Sequence, residues 1–180
     1  PFAEGRDGHV TFSLEDYLSG RAPNLSSSTR SFRRDLFLDY PDLDVALSSE
    51  DSPSALRLLM RGNGARIHRP LLLKRAHATN ITGPAGLRKV DFERIGSQYQ
   101  DDAEFALSMG FVTDARFRLI NEWRPRNIQR RKLRLYFDLG YPSSDQMWQE
   151  ILFSKALRPR EKLYAIRRWV RGAFAGRRKS

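Results

Sequence analysis

Glu50 and Asp51 stand side by side directly ahead of a short apolar run, in the stretch SSEDSPSALRLLMRG, residues 48–62. Two chemistries fit such a pair. As helix-entry charges they complement the positive end of the helix dipole, an effect of about 0.3–1 kcal/mol. As a working group, Asp51 is a general base that takes a proton from an incoming hydroxyl within hydrogen-bond reach, with Glu50 beside it. Downstream, LLLKRAHATN brings Lys74, Arg75 and His77 together after an apolar run. Arginine grips phosphate through a planar fork and lysine through a point charge, so this trio suits the place where a diphosphate arrives. A structural histidine is the plainer reading of His77. His9 and His68 have no such companions, and no two histidines have metal-site spacing, so an autonomous zinc site is not expected. The absence of cysteine excludes disulfides, thiolate zinc sites and cysteine nucleophiles. The sequence holds neither a Gly-x-Ser-x-Gly nor a Walker pattern, and Gly62-Asn63-Gly64 lacks the strand-before, helix-after setting of a phosphate loop.

These residues need elements to hold them. VTFSLEDYL opens on a short apolar/polar alternation, and Ser13 then caps a helical turn that runs through Leu18 and stops at Gly20. SSSTRSFRRDLF reads as extended chain entering a turn of helix around Arg33 to Leu38, and DYPDLD is loop. Ser52 is the expected cap of the next helix and Pro53 its first residue, with Leu56, Leu59 and Met60 at three-to-four spacing and Gly62 as the stop. Ala65 to His77 reads as strand or extended chain, interrupted at Pro70, and TNITGPAG as loop. From Leu87 the texture turns helical. DFERIGSQYQDDAEFALSMGF predicts one or two helices, with YQDDAEF as a solvated face. RNIQRRKLRLYFDLGY predicts another helix carrying Ile128, Leu133 (or Leu135), Tyr136 and Leu139 on one side. SSDQMWQEILFSKAL starts on a Ser143–Gln146 capping pattern, and RPREKLYAIRRWVRGAF is the last helix. The expected organisation is an α/β part over residues 1–83 and an all-helical region over 84–180.

A length of 180 residues suits one domain or slightly more, and 40% hydrophobic with 11% aromatic content supports a real core. The chain contains no apolar run long enough to span a bilayer and no signal-peptide pattern at its front, so a cytoplasmic protein is the default expectation. The net charge of +11 is unevenly spread. Residues 1–51 carry five basic and ten acidic side chains; residues 52–90 carry eight basic and no acidic ones. Residues 91–157 balance, and residues 158–180 hold nine basic and one acidic side chain. In the last helix Leu163, Ile166, Trp169 (or Val170), Ala173 and Phe174 form one stripe, among Arg160, Lys162, Arg167, Arg168 and Arg171. Three uses fit it: packing on neighbouring helices, anchoring on anionic lipid, or reading nucleic-acid phosphates.

Taken in order, VTFSLEDYLSG, SSSTRSFRRDLF, the loop LDYPDLDVALSS, EDSPSALRLLMRG, ARIHRPLLL and KRAHATNIT resemble the second half of a family 2 glycosyltransferase catalytic domain, over residues 9–82. The resemblance implies a partial GT-A-like domain followed by the helical C-terminal extension often seen in bacterial members. It implies an inverting transfer of sugar from a nucleotide-sugar donor to a hydroxyl of a glycan or lipid-linked acceptor, as in polysaccharide biosynthesis. Asp51 matches the family's catalytic base, and Glu50 would position it or the acceptor. Arg75 and His77, with Lys74, would lie near the leaving diphosphate. Ser27, Ser28, Thr29 and Arg33 would line the acceptor side. The family's first half, which holds the nucleotide and a divalent ion, Mg or Mn, is not among these residues. The resemblance therefore implies a fragment, opening on Pro1, that is inactive without an N-terminal nucleotide-binding half on the same or another chain. No ligand for the ion is assigned in this chain: Asp42 and Asp44 are an Asp-x-Asp look-alike in an acidic loop. The basic end would suit the inner face of a membrane. The alternative reading is a non-catalytic basic module that binds anionic membrane or nucleic acid, with Glu50 and Asp51 serving only as helix-entry charges.

Overall fold

The computed structural model describes residues 9–22, 25, 30–47, 49–67, 90–139 and 144–176. Among them, β1 (His9–Phe12) and β2 (Gly64–Ile67) pair antiparallel, with Phe12 opposite Gly64 and His9 opposite Ile67. The helices are α1 (Leu14–Ser19), α2 (Asp35–Leu38), α3 (Asp51–Arg61), α4 (Phe92–Ser108), α5 (Asp114–Leu139), α6 (Ser144–Phe153) and α7 (Pro159–Gly176). The architecture is mostly helical with one small two-stranded sheet.

Local chemistry accounts for the first turn of chain. Ser13 Oγ accepts the Asp16 N–H at 3.3 Å while Asp16 Oδ2 accepts the Ser13 N–H at 3.0 Å, a reciprocal capping box at the start of α1. Gly20, at φ +81°, closes that helix in a conformation glycine adopts without strain. Across the sheet, the Phe12 ring covers Gly64 so closely that a Cβ there would lie 2.1 Å from Phe12 Cζ. Glycine is what lets this buried ring lie flat on β2.

Helix α3 starts two residues earlier than the sequence suggests. Its first backward hydrogen bond runs from the Ser54 N–H to the Glu50 carbonyl at 3.0 Å. Ser52 is thus the second helical residue rather than the cap, and Pro53 is the third. Proline is tolerated there because the N–H groups of a first turn have no intrahelical acceptor. Leu56, Leu59 and Met60 are buried as their spacing requires, and Arg57 is buried with them.

Two expectations for the helical region are corrected. The segment YQDDAEF is not a solvated face: Tyr99, Asp102 and Ala103 are buried, in register with Ile95 and Ala106 along α4. Helix α5 begins at Asp114 rather than near Arg126, with Thr113 as its cap; the Phe117 N–H meets the Thr113 carbonyl at 2.9 Å. Exposed Pro125 lies inside it and offers no N–H to the Asn121 carbonyl. The helix continues because Ile120 and Ile128, on either side of that missing rung, are buried in one core.

That first core gathers Phe12, Leu14, Tyr40, Leu56, Leu59, Met60, Ile95, Tyr99, Val112, Ile120 and Ile128, so residues on both sides of position 84 contribute to it. A second core of Leu133, Ile151, Leu157 and Ala165 forms where the end of α5 meets α6 and α7. In α7, Leu163 and Val170 of the apolar stripe are exposed and Ile166 is half-buried, while the small Ala165 is buried; the side chains of Trp169, Ala173 and Phe174 lie outside the described residues. Among the described residues, no helix is long and apolar enough to cross a membrane.

Candidate functional site

The residues singled out in EDSPSALRLLMRG meet at the mouth of α3. Glu50 occupies the cap position in helical backbone geometry, and its side chain makes no capping hydrogen bond. It is exposed, whereas Asp51, the first helical residue, is half-buried. Both carboxylates therefore stand at the positive end of an eleven-residue helix whose opposite face is anchored in the first core.

Arg30, from the extended chain before α2, lies against this mouth. Its Nη1 donates to the Asp51 carbonyl at 3.0 Å. Its Nε is buried without a hydrogen-bond partner among the described residues. Burial pulls the Arg30 pKa down, against the charges of Asp51, Tyr17 and Glu50, which favour the guanidinium. Behind the mouth sit three aromatic side chains from three helices. Trp123 of α5 packs against Tyr17 of α1, with ring centres 5.6 Å apart, and against Tyr99 of α4 at 5.1 Å. Arg131 Nη1 donates to the Tyr99 hydroxyl at 3.2 Å. Burial pushes the Tyr99 hydroxyl pKa up, opposed by Arg131 and by the side chains of Ser52 and Tyr17. Tyr17 is likewise raised, first by burial and then by Tyr99.

A buried polar network holds α3 in place. Arg57 Nη2 donates to Asp102 Oδ1 at 2.6 Å, and Arg57 Nη1 donates to the Pro41 carbonyl at 2.7 Å. Its guanidinium carbon lies 4.9 Å from the Tyr40 ring centre and 5.5 Å from that of Phe37. Gln98 Nε2 donates to Asp102 Oδ1 at 2.8 Å, and Gln98 Oε1 accepts the Asp44 N–H at 2.9 Å. One arginine thus ties α3 to α4 and to the loop that precedes it. The Arg-Leu-Leu-Met apolar stretch gave no hint of this, because the counter-charge comes from a distant helix.

The remaining sequence candidates fall as follows. Arg33 is exposed and forks onto Asp35, Nη2 to Oδ2 at 2.6 Å. Ser27, Ser28, Thr29, Lys74, Arg75 and His77 lie outside the described residues. Asp42 is exposed. Asp44 is fully engaged: Oδ1 accepts the Ala46 N–H at 2.9 Å, and Oδ2 meets Arg94 Nη1 at 2.6 Å. Those two contacts, the backbone donor first, hold its carboxyl below the ordinary range. In this look-alike Asp44 locks a turn, and no group of three or more acidic or histidine side chains gathers among the described residues.

Arg30, Tyr17, Tyr99, Trp123 and Arg131 were not singled out by sequence reasoning. Only Arg30 had a local signal, its place between the Ser26–Thr29 run and the Arg33-Arg34 pair. Compared with protein-family models, with curated proteins and with solved structures, the chain has no match.

Proposed function

We propose that the mouth of α3 is the acceptor-side edge of an inverting, nucleotide-sugar-dependent glycosyltransferase of the GT-A type. The observation that supports it is the presentation of Asp51, half-buried at the rim of a helix fixed by the Arg57 network, with exposed Glu50 beside it and Arg30 on its backbone carbonyl. Such a carboxylate is rigidly held yet reachable, as a general base has to be. In the proposed step Asp51 takes the proton of the acceptor hydroxyl. That oxygen attacks the anomeric carbon of the donor sugar, forming the new glycosidic bond with inversion. The carbon–oxygen bond to the nucleotide diphosphate breaks, and its electron pair leaves on the diphosphate. Positive charge from Arg75, Lys74 and His77 would stabilise that leaving group. Glu50 orients the acceptor, with Ser27, Ser28, Thr29 and Arg33 on the acceptor side. The donor's nucleotide and any Mg or Mn ion would be held by a part of the enzyme outside these residues.

The test uses the intact enzyme, with nucleotide sugars and Mg or Mn supplied. Asp51→Asn is expected to lower transfer by at least about a hundredfold, the scale of lost general-base catalysis, with thermal unfolding unchanged. Arg75→Ala should raise the donor KM and lower kcat. Normal turnover by Asp51→Asn would discard the assignment.

A further inference from the structure

We propose that the outer face of α7 is a docking surface for an anionic lipid bilayer. The helix turns its larger apolar residues outward: Leu163 is 48% exposed, Tyr164 65% and Val170 37%, while Ala165 is buried. Spacings of three and four place Arg160, Leu163, Tyr164, Arg167 and Val170 on one side of the helix, and both of these arginines are exposed. The surface continues onto the end of α6, where Phe153 is 79% exposed and Leu152 49%. Lys162 Nζ reaches the Leu152 carbonyl at 2.9 Å, so this apolar corner adjoins the first turns of α7.

Charge selects the occupant. The one acidic side chain of residues 158–180, Glu161, is turned inward onto Arg126 and Arg130 of α5 and does not offset the arginines outside. A face that mixes exposed aliphatic side chains with arginines matches a bilayer interface, which takes the first among acyl chains and the second among anionic headgroups. A polynucleotide would satisfy the arginines and leave Leu163, Val170, Leu152 and Phe153 without a partner. The proposal is independent of sugar transfer, since it uses none of the residues assigned to that reaction.

Co-sedimentation of the full chain with vesicles tests it. Binding is expected to vesicles of phosphatidylcholine containing about a quarter phosphatidylglycerol, and not to phosphatidylcholine alone. It should weaken as salt rises from about 0.1 M to about 1 M and the Debye length falls from about 10 Å to about 3 Å. Arg160→Gln/Arg167→Gln should weaken binding about 30-fold, at roughly fivefold per charge. Leu163→Ser/Val170→Ser should weaken it about tenfold or more with the net charge unchanged. Because all four positions are exposed, the variants should keep the wild-type unfolding temperature. Equal partition into both vesicle types would overturn the proposal. So would retention of vesicle binding by Leu163→Ser/Val170→Ser together with tight binding of polyuridylate, which would mark a phosphate reader. A wild-type dimer that ignores vesicles and becomes monomeric in Leu163→Ser/Val170→Ser would show that a second copy covers this face.

Discussion

The first core and the second each have an arginine–carboxylate pair beside them, and the two are built on opposite terms. Arg57 and Asp102 are 1% and 2% exposed, and beyond each other they bond to the buried Tyr40 and Gln98 side chains and to the Pro41 carbonyl. Arg126 and Glu161 are 25% and 19% exposed, and the Arg126 fork lies on Glu161 at 2.8–3.1 Å with the Arg158 N–H on the same carboxylate. Water has been removed from the first pair, so neither member can be lost without stranding the other in an apolar medium. The second pair keeps one side in solvent, and losing it costs little more than a good surface contact. The difference also sets what each pair organises. Arg57 joins helix, loop and helix into the support of the Asp51 mouth, whereas Glu161 fastens α7 to α5 at one point. Rigidity is concentrated where the proposed chemistry lies, and the basic helix is attached more lightly.

The largest effect should come from Arg57→Met, which buries Asp102 without a counter-charge. A loss of about 3–5 kcal/mol is expected in denaturant unfolding, and Arg57→Met/Asp102→Leu should recover most of it. Gly64→Ala sharpens the same side of the comparison. Its methyl would meet the Phe12 ring, which would have to leave its seat over β2, at about 1–3 kcal/mol in the same measurement. In the second region Glu161→Gln should cost about 1 kcal/mol. Amide exchange should then accelerate in α7 and stay unchanged in α3 and α4.

The smallest and most discriminating effect is in acid. Burial raises the Glu161 pKa, but the Arg126 hydrogen bond, the Arg158 N–H and the charges of Arg126 and Arg130 outweigh it, and the net shift is downward. Its contribution is therefore present above the unfolded value of 4.5 and fades as pH falls through the lower folded value. For Asp102, burial outweighs Arg57 and Gln98, and the carboxyl is raised above its ordinary 3.8. That contribution is complete below 3.8 and declines as pH rises through the folded value. Amide exchange followed from neutral pH into acid should show α7 loosening before α3 and α4. Simultaneous loosening of all three would mean that the two pairs do not act separately.

How far this was legible from sequence depended on the distance between cause and effect. Ser13 and Gly20 were readable because both ends of α1 are determined within a few residues. Leu56, Leu59 and Met60 were readable because a single helix face buries them. Asp102 was not, since an acid next to Asp101 and close to Glu104 looks solvated until Arg57, 45 residues away, is brought against it. Helix α5 was read short, from Arg126 on; the burial of Ile120 and Ile128 on both sides of Pro125 carries the helix through the proline. The orientation of α7 was left open by the sequence for a related reason. Its apolar residues suit either a packed or an outward face, and with Glu161 held on Arg126 and Arg130 it is Ala165 that lies inward and Leu163 outside.

By itself, the sequence determined the capped turn at Ser13, the helix behind Glu50 and Asp51, the glycine stops and the two basic zones, because each rests on short-range sterics, hydrogen bonding or plain charge count. Only the tertiary structure decided which charges are withdrawn from water, which face of α7 looks outward, and which aromatic side chains stand behind Asp51. Those outcomes depend on the dielectric surroundings and packing of residues far apart in the chain, and local pattern carries no record of either.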